Sequence, residues 1–279
     1  MAQLRFTKMH GIGNDYVYVD CFRETVANPV ELAVRVSPRH TGIGADGLIL
    51  IRPSDVADCR MEMYNADGSR GDMCGNGIRC VGKYVYDHGI ARKDTLLIDT
   101  DAGVKALYMV LEDGRATAAT VDMGEPILDG PRIPVKMGGR VVNEALVVDD
   151  LVHHVTCVSM GNPHCVLFVN DVEALDLTKI GPSFEHHTFF PKRVNTEFVK
   201  VLNRAELRMR VWERGSGETA ACGTGACAAL VAAVLNDKAE RAATIHLNGG
   251  DLRVEWNAAN NHVFMTGPAT EVFSGEIEA

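Results

Sequence analysis

Two cysteines stand at equivalent places in two related stretches of the chain. The first stretch, YNADGSRGDMCGNG, runs from Tyr64 to Gly77, and the second, WERGSGETAACGTG, from Trp212 to Gly225. In each, an aromatic residue lies ten positions before a cysteine that opens a Cys-Gly-x-Gly turn. Cys74 and Cys222 are 148 residues apart, and the same offset relates Asn14 to Asn162 and Gly47 to Asn195. A glycine-rich turn that opens a helix leaves backbone N–H groups without intrahelical acceptors. The helix adds partial positive charge at that end, so the turn suits a carboxylate or phosphate. A thiol placed there is expected to gain thiolate character. One thiolate could then remove a proton from the carbon beside a carboxylate, and a thiol on the opposite face could return one. The stereocentre would invert while both helix N-termini stabilise the charge that builds. A disulfide switch also needs two thiols, but it does not need two anion cradles.

The other six cysteines, at 21, 59, 80, 157, 165 and 227, have no cysteine partner at this offset and read as small core residues. No Cys-x-x-Cys occurs, and the spacings Cys74/Cys80 and Cys222/Cys227 fit no zinc pattern. Asn14, Asn65, Asn162 and Asn195 sit at strand ends, where turn chemistry alone explains many asparagines. Here two of them share the repeat offset, and Asn65 corresponds to Glu213. These amides, Glu213 and Arg214 could hold a zwitterionic amino acid, because arginine grips a carboxylate with two parallel hydrogen bonds. His164, in Gly-Asn-Pro-His, could assist a thiol. His153-His154 and His186-His187 have no acidic partner at ligand spacing and read as surface.

These residues need elements to hold them. Asp15–Asp20 reads as a strand, and Asn28-Pro29 caps a helix over VELAVRV. GLILI from Gly47 and CRMEMY from Cys59 read as further strands. GNGIRCVGKYVYDHG reads as a helix that ends at Gly89, and Asp113-Gly114 as a hairpin turn. The second half repeats the order with CVLFV, DLTKIGPSFEH, NTEFVKV, ELRMRVW and the buried-looking helix GTGACAALVAAVLND. Gly42–Gly47 matches G-x-G-x-x-G, but a strand follows it rather than a helix, so it reads as a turn and not a dinucleotide site.

The 279 residues allow two domains. The expected division is 1–122 with 268–279 for the half that carries Cys74, and 123–267 for the half that carries Cys222. A net charge of −9 disfavours nucleic acid as a partner. No apolar run reaches the length of a spanning helix, so no membrane association is expected. MAQLRFTKMHG has no signal-like apolar region, which predicts a cytoplasmic protein. Eight cysteines there are not expected to form a disulfide framework.

KMHGIGNDY, RHTGIGADG, YNADGSRGDMCGNGIRC, SMGNPHCV, VNTEFV and WERGSGETAACGTGACA together resemble the diaminopimelate epimerase family, in order and across nearly the whole chain. The resemblance implies an α/β (α+β) fold of two similar halves. Each half is a mainly antiparallel sheet wrapped around a central helix, with the site in the cleft between them. It implies interconversion of LL- and meso-diaminopimelate, on the route to lysine and peptidoglycan precursors, without pyridoxal phosphate or metal. Cys74 and Cys222 fall on the catalytic positions. Asn14, Asn65, Asn162, Asn195, Glu213 and Arg214 fall on the substrate positions, with the backbone of Gly75-Asn76 and Gly223-Thr224 at the reacting carboxylate. A homodimer and a final strand, TEVFSGEIE, paired with the first half are also expected. Two departures, Tyr16 for the usual Phe and Met73 before the first cysteine, leave this chemistry untouched. The competing readings are a proline or hydroxyproline racemase, another isomerase of the same fold, and a non-catalytic protein whose cysteines form a redox switch.

Overall fold

A computed structural model describes residues 3–278. They fall into two compact units, one up to Val121 together with the residues from Thr266 on, the other from Asp122 to Met265. In chain order the first unit holds β1 (Gln3–Gly11), β2 (Asn14–Asp20), α1 (Pro29–Val36), β3 (Gly47–Arg52), β4 (Cys59–Asn65) and β5 (Arg70–Gly71). It continues with α2 (Gly75–Asp87), β6 (Thr95–Asp99), β7 (Lys105–Glu112) and β8 (Arg115–Asp122), which runs into the boundary. The second unit holds β9 (Glu144–Val148), β10 (Leu151–Ser159), β11 (Pro163–Phe168), α3 (Leu177–Glu185), β12 (Asn195–Asn203) and β13 (Glu206–Glu213). It continues with β14 (Gly217–Thr219), α4 (Gly223–Leu235), β15 (Ala242–Leu247), β16 (Gly250–Trp256) and β17 (Val263–Pro268), which crosses the boundary back into the first unit. The last strand, β18 (Thr270–Glu278), pairs antiparallel with β1 of the first unit, as the sequence predicts.

Each unit is a mostly antiparallel sheet that packs on one long helix. α2 packs on β1, β2, β4, β6 and β7, and α4 on β10 to β13, β15 and β16. α4 is apolar all round because it is enclosed all round; Ala226 to Ala233 are all buried. The sheets also contain parallel pairs, β2–β3 and β4–β6 in one unit and β11–β12 and β13–β15 in the other. Parallel neighbours need a long crossover. α1 and α2 lie within the two crossovers of the first unit, and α3 and α4 within those of the second.

The repeat extends to hydrogen-bond register. Tyr16 pairs with Gly47 in the first unit and His164 with Asn195 in the second. Leu48 pairs with Tyr64, and Thr196 with Trp212. Every partner is displaced by the offset that separates the two cysteines, so the second half repeats the pairing of the first.

Local signals act as expected. The Asn28 side chain accepts from Glu31 N at 3.2 Å and caps α1. The glycine-rich loop closes the other end of α1: Ile43 N and Gly44 N both donate to Val36 O, at 2.9 and 3.0 Å. A Cβ on Gly42 would lie 2.6 Å from Val36 O, which explains the glycine without any nucleotide. α2 ends at Asp87 with Gly89 in the left-handed region, and Asp113-Gly114 turns β7 into β8 with both φ positive. Among the described residues no helix is long and apolar enough to cross a membrane.

Candidate active site

Cys74 and Cys222 are the N-caps of α2 and α4, and their geometries are nearly superposable. Cys74 has φ −128° and ψ 119°, and its Sγ accepts from Gly77 N at 3.4 Å. Cys222 has φ −124° and ψ 110°, and its Sγ accepts from Gly225 N at 3.4 Å. The glycines permit this. A Cβ on Gly77 would sit 2.7 Å from Ile49 Cδ1, and one on Gly225 would sit 2.8 Å from Glu197 Oε1. Each sulfur therefore lies at the positive end of a thirteen-residue helix. Gly75-Asn76 and Gly223-Thr224 form the first turns, whose N–H groups suit an anion.

Around Cys74 the polar groups are tightly tied. The thiol donates to Asn14 Oδ1 at 3.2 Å, and Asn14 Nδ2 donates to Asp46 Oδ2 at 2.8 Å. Arg39 holds Asp46 and Asp15 through one nitrogen, at 2.8 Å each, and Lys8 pairs with Asp15 from the buried side. Burial works against a charged Asp15, but Arg39 and Lys8 outweigh it and keep this carboxyl below its usual range. The buried Tyr16 phenol reaches Asn14 and Cys74, and burial pushes it well up. Asn65 donates to Ser69 Oγ at 2.9 Å. Asn76 accepts from Arg79, a wholly buried guanidinium that also donates to Gly75 O at 2.9 Å.

Around Cys222 the setting is different. The thiol lies 3.5 Å from Thr224 Oγ1, and Thr224 receives Asn162 Nδ2 at 3.3 Å. The ring nitrogens of His164 contact Asn162 Oδ1 at 2.9 Å and Glu197 Oε1 at 2.7 Å. Half-buried Glu213 is bonded by the Thr219 hydroxyl. Burial raises the Glu213 pKa, against the pull of Thr219, Cys222 and His164. Asn195 is committed to the scaffold, since it donates to Pro163 O at 2.8 Å and accepts from Arg214 N at 2.9 Å. It thereby places Arg214, whose exposed guanidinium donates to Lys192 O at 3.1 Å. Trp212 anchors the same corner through Nε1–H to Glu185 Oε2 at 2.8 Å.

One expectation is overturned at Cys222. A helix N-terminus alone would favour its thiolate. Burial, and then the carboxylates of Glu213 and Glu197, instead push its pKa well above the ordinary thiol value. The bonds from Thr224 and Gly225 only partly offset them. This setting disfavours the Cys222 thiolate. Five of the remaining six cysteines are buried in the core, and Cys21 packs half-buried against it. Burial pushes Cys59 up to about 12 and Cys80 up to about 11. His153 is also less exposed than the sequence suggests: it is half-buried, edge-on to Phe184 at 5.1 Å, and burial lowers its pKa.

The first unit thus gathers Asn14, Cys74, Gly75 and Asn76 at one helix end, and the second gathers Asn162, Glu213, Cys222 and Thr224, with His164 behind Asn162. Sequence reasoning missed Glu197, Arg79 and the Arg39–Asp46 pair. Glu197 carried a signal, being an acid within the apolar strand NTEFVKV at the offset partner of Ile49.

Solved structures that share this architecture include a phenazine biosynthesis protein and a hydroxyproline epimerase. A phenazine biosynthesis protein of the PhzF family from Bacillus anthracis matches with a TM-score of 0.72 at 15% identity over 100% of both chains. A hydroxyproline epimerase from Agrobacterium vitis matches with 0.67 at 13% identity, over 99% of this chain and 92% of that one. At such identities the likeness defines the fold, a duplicated α/β architecture. Sequence gives the finer assignment: residues 6–128 and 156–272 match the family model for diaminopimelate epimerase. Diaminopimelate epimerase of Acetivibrio thermocellus is 58% identical over 276 residues, 99% of each chain. That of Methanococcus maripaludis strain C5 is 54% identical over 276 residues, 99% of this chain and all of the other. The chain belongs to the diaminopimelate epimerase family.

Proposed function

We propose that this protein is a cofactor-independent epimerase that interconverts LL- and meso-diaminopimelate, with Cys74 and Cys222 acting on opposite faces of one α-carbon. The observation that carries the reading is the pair of cysteine N-caps. Each sulfur sits 3.4 Å from the third N–H of its helix, in a chain of this family. One cysteine, as thiolate, takes the α-proton and becomes a thiol. The electron pair left on carbon is delocalised into the carboxylate, which the first turns of α2 and α4 receive. The other cysteine gives its proton to the opposite face and becomes a thiolate. With Cys222 as the thiol, it is the donor in the direction that begins with the α-hydrogen toward Cys74, which must first release the proton it directs at Asn14 Oδ1. Reversal begins from the thiolate that Cys222 becomes on giving its proton, with Glu213 as the nearby carboxyl whose charge that thiolate meets.

Asn14, Asn65, Asn162 and Arg214 then serve the two amino-acid ends of the substrate, while Asn195 serves by placing Arg214. Proline has no second amino-acid end, which separates this reading from a proline racemase. The two units would correspond to residues 1–122 with 268–279, and 123–267, each contributing one thiol. The protein is expected to work as a cytoplasmic homodimer. The test is conversion of LL-diaminopimelate by the native protein and by Cys74→Ala and Cys222→Ala, with proline as the control substrate. Native turnover and two inactive variants are expected. Full activity in either variant overturns the two-base reading.

A further inference from the structure

The second unit buries an ionisable pair where the first unit does without one. Glu197 occupies the offset position of Ile49, and His164 that of Tyr16. The correspondence is spatial as well, because Ile49 is the side chain that an added Cβ at Gly77 would strike, and Glu197 the one at Gly225. The fold is therefore satisfied at this place by an aliphatic residue. Burying a carboxyl there is costly unless it is fully partnered, yet His164 and Glu197 both have side chains 0% exposed. Glu197 Oε2 has no hydrogen-bond partner, so the site keeps this carboxyl despite an unsatisfied oxygen.

The hydrogen bonds fix the protons. Asn162 donates Nδ2 to Thr224, which leaves Oδ1 to accept, so His164 Nε2 carries a hydrogen. The 2.7 Å contact of Nδ1 with Glu197 Oε1 must also hold a proton, since two bare acceptors would repel. One proton therefore lies between the imidazole and the carboxyl, and a second sits on Nε2. The titratable groups that face the pair include Glu213 and the thiols of Cys222 and Cys165.

We infer that Glu197 is a positioning residue for the epimerisation. It shares a proton with His164, fixes that ring with Nε2–H toward Asn162, and so holds the Asn162 amide over Thr224 at the N-terminus of α4. Its effect on chemistry passes along Glu197, His164, Asn162 and Thr224 to the cradle around Cys222. A histidine without this partner could rotate or change tautomer, and the Asn162 amide would lose the acceptor role that orients it.

The inference rests on the proposed epimerase reading, so its test has one arm that does not. Glu197→Ile installs the residue that the first unit uses, and Glu197→Gln keeps the shape and a donor for Nδ1. Unfolding temperature and circular dichroism establish that both variants fold. ¹⁵N NMR of the His164 ring, assigned with His164→Gln, reports the protons directly. The native protein is expected to show protonated Nε2 and a hydrogen-bonded Nδ1, and Glu197→Ile to lose the Nδ1 signature. In turnover, Glu197→Ile is expected to raise KM for diaminopimelate about tenfold, equivalent to about one lost hydrogen bond, with a smaller effect on kcat. Glu197→Gln should recover most of that loss. An unpartnered Nδ1 in the native ring overturns the proposal whether or not diaminopimelate is the substrate. Native-like KM and kcat in a folded Glu197→Ile variant overturn it too.

Discussion

At the level of single residues, the chemistry of each sulfur depends on what surrounds it. Two similar helix caps hold their thiols in different company: Cys74 donates to Asn14 Oδ1, and Cys222 lies near the carboxylates of Glu213 and Glu197. An alkylating agent reacts with thiolate. Iodoacetamide should therefore modify Cys222 slowly at neutral pH and faster only as pH rises toward its elevated pKa. Glu213→Gln removes the largest charge effect on that thiol and should increase its rate at any fixed pH below the new pKa. Each unit by which the pKa falls gives about tenfold more thiolate. Peptide-resolved mass spectrometry reads the two cysteines separately, and a Cys222 rate at pH 7 equal to that of an exposed thiol contradicts the assignment. The cysteines and most of their companions were legible in sequence because the repeat singled them out. Arg79 was not, because burial depends on neighbours brought in by the sheet, and Glu197 showed only as an acid within an apolar strand. The direction of the Cys222 shift was misread for the same reason, since spacing reveals a helix end but not the carboxylates beside it.

Among the elements, the two helices and the strands beneath them carry the site. α4 is enclosed on every side, so truncating Leu230, wholly buried, leaves a cavity. Leu230→Ala is expected to cost about 2–5 kcal/mol in urea unfolding; a loss near zero contradicts the packing described. Gly47 is a second test. A Cβ there would lie 2.1 Å from the Tyr64 carbonyl oxygen, a backbone atom that cannot swing away. Gly47→Ala should lower the melting temperature and disturb the β3–β4 register near Asn65, as seen by amide exchange. Caps and turns such as Asn28-Pro29 and Asp113-Gly114 were readable because their chemistry is local. The parallel pairs were not, because nothing in β2 or β3 alone reveals that α1 carries the chain back beside its start.

For the whole molecule, the main lesson is duplication. The offset visible between two cysteine motifs proves to be an offset of strand pairing. The repeat is a repeat of fold, and the chemistry has diverged within it. The chain also ends in the unit where it began, with β18 completing the sheet beside β1. Deleting residues 270–279 would uncover the β1 backbone along its whole paired length, and an uncovered edge invites association. The truncated protein is expected to melt lower and to scatter light on standing; unchanged melting contradicts the structural role of β18. The family match across nearly the whole chain gives this architecture its substrate, which neither repeat nor topology identifies alone. The most direct test of two opposed thiols is the fate of the α-hydrogen. Native protein is incubated with LL-diaminopimelate in D₂O, and both pools are examined before equilibrium. Deuterium should appear at the inverted carbon of the product while recovered substrate stays protonated, because the base that removes hydrogen is not the acid that supplies it. Equal labelling of substrate and product at early times would mean one shared base and would contradict the account.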